Sequence, residues 1–203
     1  MVSARRIGAA DAKNRTVLLD AAERLMLEEG YAAVTSRRVA GRAGLKPQLV
    51  HYYFRSMDDL FLAILQRRSE EGLERQARIV DSDQPLRALW EFSTESGAAA
   101  LTMEFAALAN HRKTIRAELV RYAERFRAVE IDVLSRIMQR HGISSDKYSP
   151  AALAVLIAGI SRVFMLERAL GVATGHAELL ELVEEQLRLF DGDPKSAAAP
   201  RPS

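Results

Sequence analysis

Ile115, Leu119, Tyr122, Phe126, Val129, Val133 and Ile137 follow one another at spacings of 4, 3, 4, 3, 4 and 4 residues. That spacing gathers apolar side chains on one stripe of an α-helix, so the segment reads as a long amphipathic helix ending at "RHGI". Nearly all the rest obeys the same period. Val17, Leu18, Ala21, Ala22, Leu25 and Met26 form a stripe closed by Gly30, which predicts a first helix over about 12–29. Thr35 stands before "SRRVAGRAG" as a capping oxygen, and Gly41 and Gly44 hold the second helix to about two turns. Pro47 suits the first turn of a third helix, which the aromatic run carries to about Tyr53. Met57, Leu60, Phe61, Ile64 and Leu65 open a fourth that continues to Ile79. After "VDSDQP", two shorter helices, "PLRALWEFSTES" and "AAALTMEFAALANH", lie around Gly97, and two more follow the long one at about 150–170 and 176–190.

The expected fold is therefore all-α, with a three-helix head at 1–56 joined to a helical body at 57–193. No flexible linker separates them, so the fourth helix is shared. The end, "DPKSAAAPRPS", has the composition of a disordered tail over 194–203. A chain of 203 residues that is 48% apolar can bury a real core in one domain or in two smaller ones. It has no cysteine, which excludes disulfides and thiolate metal sites. The apolar run "PAALAVLIAGI" at 150–160 is shorter than the roughly 20 residues of a bilayer span, and the N-terminus has no apolar stretch suited to a secretory signal. The expectation is a cytoplasmic protein with no membrane partner.

Charge is segregated along the chain. Residues 1–55 hold 10 Lys and Arg against 5 Asp and Glu, whereas residues 56–203 hold 19 against 22. A basic head on a mildly acidic body suits a polyanion bound by the head, because affinity for phosphate follows local charge. Two short helices joined by a turn at Gly44 match the helix-turn-helix unit, whose second helix enters the major groove of duplex DNA.

The stretch "EEGYAAVTSRRVAGRAGLKPQLVHYYFRSMDDLF" resembles the signature of the TetR/AcrR family of bacterial transcriptional regulators, in order and spacing, over about residues 14–65. The resemblance implies a DNA-binding head and a helical body for effector binding and dimerisation. It places Thr35, Ser36 and Arg37 near phosphate at the start of the second helix, and Lys46, Pro47, Gln48 and Leu49 at the start of the recognition helix. Gln48 is the candidate base reader, since an amide bonds adenine N6 and N7 together, and Leu49 offers apolar contact to a thymine methyl. His51, Tyr52 and Arg55 complete the DNA-binding set. His51 replaces the family's usual Tyr and Met57 its usual Lys, which alters two phosphate contacts; the basic tail residues Arg5, Arg6, Lys13 and Arg15 could restore charge.

The resemblance also implies a homodimer joined through the last two helices, with Leu153, Leu156, Ile157, Ile160, Phe164, Leu179, Val183, Leu187 and Phe190 as interface candidates. The segment at 150–160 is apolar nearly all round and needs partners on every side. A small-molecule effector of unknown class is expected among Trp90, Phe92, Thr94, Met103, Phe105, Tyr122, Phe126 and Phe164, which offer bulk and a few polar atoms. No cofactor or metal is expected, and no catalytic residue: the four histidines form no metal-binding pair around a Glu, and neither a Walker loop nor G-x-S-x-G occurs. The expected function is a ligand-responsive regulator, most often a repressor, that binds a palindromic operator as a dimer and is released by a small molecule. The alternatives are an effector-independent architectural DNA-binding protein and an enzyme carrying a helix-turn-helix head.

Overall fold

The computed structural model describes residues 3–193, with side chains from Asp11 onward. Among these residues the chain is helical throughout: α1 (Ser3–Glu29), α2 (Ser36–Ala43), α3 (Pro47–Tyr53), α4 (Met57–Ile79), α5 (Pro85–Ser93), α6 (Ser96–Ala109), α7 (Lys113–Arg140), α8 (Pro150–Leu170) and α9 (His176–Asp191). A short 3-10 turn, Tyr31–Ala33, joins α1 to α2 and was not foreseen. The expected tail at 194–203 lies outside the described residues.

Local chemistry explains most of the boundaries. Helix α1 begins well before residue 12, because the Ala and Arg residues ahead of that point are strong helix formers, so the basic residues assigned to a tail belong to a helix. The Thr35 side chain accepts a hydrogen bond from the Arg38 N–H and caps α2. Gly44, at φ 66° and ψ 27°, ends that helix in the left-handed conformation, with the Leu45 N–H returning to the Ala40 carbonyl at 2.9 Å. Gly41 lies inside α2 and terminates nothing. Similarly, Gly97 falls within α6; the break lies at Thr94, whose hydroxyl donates to the Trp90 carbonyl at 2.8 Å.

Two compact units emerge from the contacts. Among the described residues the first extends to Gly72 and includes 100–123, and the second comprises 73–99 and the chain from Glu124 onward. Helices α4, α6 and α7 contribute residues to both. The expected head, 1–56, falls wholly within the first unit, yet its core is not closed by α1 to α3 alone. Leu18, Met26, Val39, Val50 and Phe54 share one buried cluster with Leu60 and Ile64 of α4, Phe105 and Leu108 of α6, and Ile115 of α7. Polar contacts reinforce it: Arg67 reaches Asp20 at 2.6 Å and Glu23 at 2.8 Å, and a Glu104 carboxylate oxygen accepts the Tyr31 N–H at 2.7 Å. Arg112 pairs with Asp58 in the first turn of α4 and lies over the Phe61 ring.

In the second unit Ile79, Leu89, Val133 and Ile137 form the core, with Phe92, Val129 and Phe190 packed against it. Arg87 on α5 grips the Glu184 carboxylate of α9 with both terminal nitrogens, at 2.7 and 3.0 Å, and holds that carboxyl below its usual pKa range. Burial pushes the Glu130 carboxyl up, opposed by Arg127, 2.9 Å away, and by Arg162. Helix α8 is 21 residues long and, by length and composition, apolar enough to cross a bilayer. The apolar run at 150–160 understated it, because Val163, Phe164, Met165 and Leu166 resume the apolar character beyond Arg162.

The two glycines of the α2 turn make opposite predictions. A Cβ at either meets nothing within 4 Å, so backbone conformation alone decides. Gly41→Ala, in ordinary helix, stabilises by about 0.5–1 kcal/mol, whereas Gly44→Ala destabilises by about 1–2 kcal/mol. Urea denaturation midpoints moving in the same direction for both variants would contradict this assignment.

Candidate nucleic-acid interface

Helix α3 has only seven residues and owes its placement to what it buries. Val50 and the following Phe54 are sealed in the first core, while Leu49 and Tyr53 pack against it half-buried. The Tyr53 hydroxyl donates to an Asp11 carboxylate oxygen at 2.5 Å, which pushes the phenol pKa up. Arg15 lies over the Phe54 ring at 5.3 Å from its centre. These contacts fix the rotation of α3 about its axis. Gln48, His51, Tyr52 and Arg55 then fall on the exposed side at spacings of three, four and seven from Gln48, with Tyr52 69% exposed. Lys46 and Pro47 are exposed at the N-terminal end of the helix.

Of the candidates on α2, Thr35 is exposed but uses its oxygen as the cap, Ser36 is half-buried, and Arg37 is exposed. Arg37, Lys46 and Arg55 have no ion-pair partner among the described residues, so their charge is available to an anion. Their neighbours differ. Arg42 donates to Glu28 at 2.6 Å, and Arg38 pairs with Glu29, whose carboxyl it holds below the usual range. Counting charge along the sequence missed this internal neutralisation, because nothing in linear spacing shows α1 carboxylates reaching α2 arginines. Met57 packs half-buried against the first core and makes no polar contact. Leu49 is also partly committed to that core, leaving only its edge for a thymine methyl.

The expected effector residues are divided between the two units. In the second unit, Trp90 and Phe164 meet with ring centres 6.2 Å apart and planes tilted by 37°, and Phe92 and Phe126 at 6.0 Å and 36°. Thr94 gives its hydroxyl to the helix backbone. Phe105, Tyr122 and Met103 belong to the first unit. Phe105 is 1% exposed and packs in the core behind the helix-turn-helix. Tyr122 is buried with its hydroxyl donating to Glu70 at 2.8 Å, and Met103 stands exposed.

Of the expected interface residues, Phe164 and Leu187 are each 4% exposed within a single chain, which removes them from any surface stripe. Phe164 lies against Trp90 and His176, the latter at 4.8 Å. Phe190 packs on the second core. Leu153, Ile157, Ile160, Leu179 and Val183 are half-buried, and Leu156 is exposed. The large apolar side chains that do face outward are Val155, Leu156, Val163, Leu166 and Leu170 on α8, with Leu180, Leu182 and Leu189 on α9. Most were missed because a helix apolar on every side carries no readable phase.

Removing the acidic partners tests the neutralisation. Glu28→Gln with Glu29→Gln frees two guanidinium groups, and the log–log salt dependence of binding to random duplex DNA should steepen by about one to two counterions. An unchanged slope would mean that Arg38 and Arg42 lie away from the phosphate path.

The family model described as bacterial regulatory proteins of the tetR family matches residues 18–64. The HTH-type transcriptional regulator BetI of Brucella canis is 32% identical over 127 residues, which is 62% of this chain; the match spans 60% of that relative's length. The BetI of Brucella anthropi is 27% identical over 186 residues, covering 91% of this chain and 87% of the relative. A transcriptional regulator from Saccharomonospora viridis, solved in complex with choline, superposes with a TM-score of 0.75 at 19% identity, over 88% of this chain and 95% of that one. That last likeness is one of fold. Residues 18–64 thus match the tetR family of bacterial regulatory proteins in sequence, and the helices share the fold of a solved transcriptional regulator.

Proposed function

We propose that the protein is a dimeric, sequence-specific DNA-binding regulator, a repressor released from its operator by a small molecule, acting in the cytoplasm and without catalysis. The observation that carries this reading is the exposed side of α3: an amide at Gln48, an imidazole and a phenol behind it, and unpaired cations at Lys46, Arg55 and Arg37. A duplex offers the complement to each. Base edges accept and donate to the amide, and phosphates receive the cations and hydroxyl groups. In this reading 1–56 is the reading head, and the remaining helices hold the effector and the partner copy. The expected base-reading and phosphate roles are kept for Gln48, Arg37, Lys46, His51, Tyr52 and Arg55; Pro47 shapes the helix start, and Thr35 and Ser36 present the α2 N-terminus.

The outward stripe on α8 and α9 supports pairing with a second copy. A monomer seldom leaves so many large apolar side chains in water along one pair of helices. A twofold pair carries two α3 helices and suits a pseudo-palindrome whose half-sites lie about 34 Å apart. The small molecule held by the choline-bound neighbour supports a ligand in the helical body without naming one here.

Two experiments test the reading. Gln48→Ala should cut discrimination between operator and random DNA by about 1–3 kcal/mol and leave random-DNA affinity nearly intact, while Arg37→Ala should weaken both and flatten the salt slope by about one counterion. Equal losses on both DNAs with Gln48→Ala would remove it as a base reader. Val163→Glu replaces a side chain that is 54% exposed, so the fold of one chain should hold while sedimentation shows monomers and operator affinity drops. A variant that sediments as a dimer would place the contact between copies elsewhere.

A further inference from the structure

In the second unit Gln76 is wholly buried, at 0% exposure, and neither its Nε2 nor its Oε1 has a hydrogen-bond partner among the described residues. Burying an amide with both ends unpaired is costly, and native proteins rarely retain such a group without use for it. Its surroundings along the helix are apolar. Leu73 precedes it by one turn of α4, and Ile79, one turn later, packs with Leu89, Val133 and Ile137. A leucine would fill such a position without penalty, so the amide is the anomaly to be explained. Phe92 and Phe126 stack beside the same core, and Arg75, itself half-exposed and bonded to Glu95 at 2.7 Å, lies over the Phe92 ring at 5.5 Å.

We propose that Gln76 is the polar anchor of the effector site, and that the effector presents a hydrogen-bond acceptor beside a donor, as a carboxamide does, on an apolar frame. This rests on the reading of the protein as an effector-released regulator and names the chemistry its effector must carry. An amide side chain offers one acceptor and two donor hydrogens in a plane, so a second amide meets it with two parallel bonds, whereas a ketone can satisfy only the donor side. The apolar frame packs against the core around Phe92 and Val129. Binding then supplies both of the hydrogen bonds that the protein leaves unmade, and a ligand lacking one of them is rejected because it leaves half the amide unpaired.

Hexanamide and its near-isostere 2-heptanone are the probes, titrated against the full-length protein by the fluorescence of Trp90, its one tryptophan. Hexanamide should bind at least about tenfold more tightly than 2-heptanone, and Gln76→Leu should abolish that preference. Without ligand, Gln76→Leu should also melt roughly 3–8 °C higher than the parent, since it removes an unpaired buried amide at similar volume. Equal binding of the two probes, binding of neither, a preference that survives Gln76→Leu, or a lower melting temperature for the variant would each overturn the anchor. A separate measurement tests the regulatory reading: if hexanamide binds with the expected preference but saturated protein keeps its full operator affinity, the anchor stands and effector release fails.

Discussion

Burial of one side of α3 governs the rest of the head. Seven residues cannot hold a helix in water by backbone hydrogen bonding alone, so Val50 and Phe54, locked into a shared core, determine which side chains face outward. The left-handed turn at Gly44 aims the helix, and the core sets its rotation. Gln48 is a surface residue because Val50 and Phe54 are not.

That core reaches past the three helices of the head. Phe105, Leu108 and Ile115 belong to it, the Glu104 carboxylate holds the Tyr31 N–H, and Arg112 pairs with Asp58 at the start of α4. A boundary at residue 56 therefore falls inside a packed body and does not mark its edge. The end of α6 and the start of α7, together with the fourth helix, are part of the body that carries the head.

Element type and order were legible in the sequence because the apolar spacing is strict and the punctuation chemically explicit: Thr35 caps, Gly44 turns, and Pro47, Pro85 and Pro150 start helices. The outward residues of α3 were expected from the resemblance to a known family and not from the spacing of apolar residues. What could not be read was phase on α8, where apolar residues surround the helix, and role among the aromatic residues, where Phe105 and Phe164 fill cores although their composition suits a pocket equally well. Charge was half legible. Summation along 1–55 shows a basic head, but only the fold reveals that Glu28 and Glu29 silence Arg42 and Arg38.

Those two pairs change how a polyanion meets the protein. At physiological ionic strength a field reaches about 8 Å, and within that range a paired arginine is felt as a small dipole, not as a charge. The cations without an ion-pair partner among the described residues, Arg37 at the start of α2 with Lys46 and Arg55 at the two ends of α3, are set close to the surface proposed to meet the groove. On the proposed reading of α3 as the DNA-facing helix, the field of the head exerts a torque as well as an attraction, turning an approaching duplex toward α3 before the first contact so that fewer encounters are wasted on the wrong side of the domain.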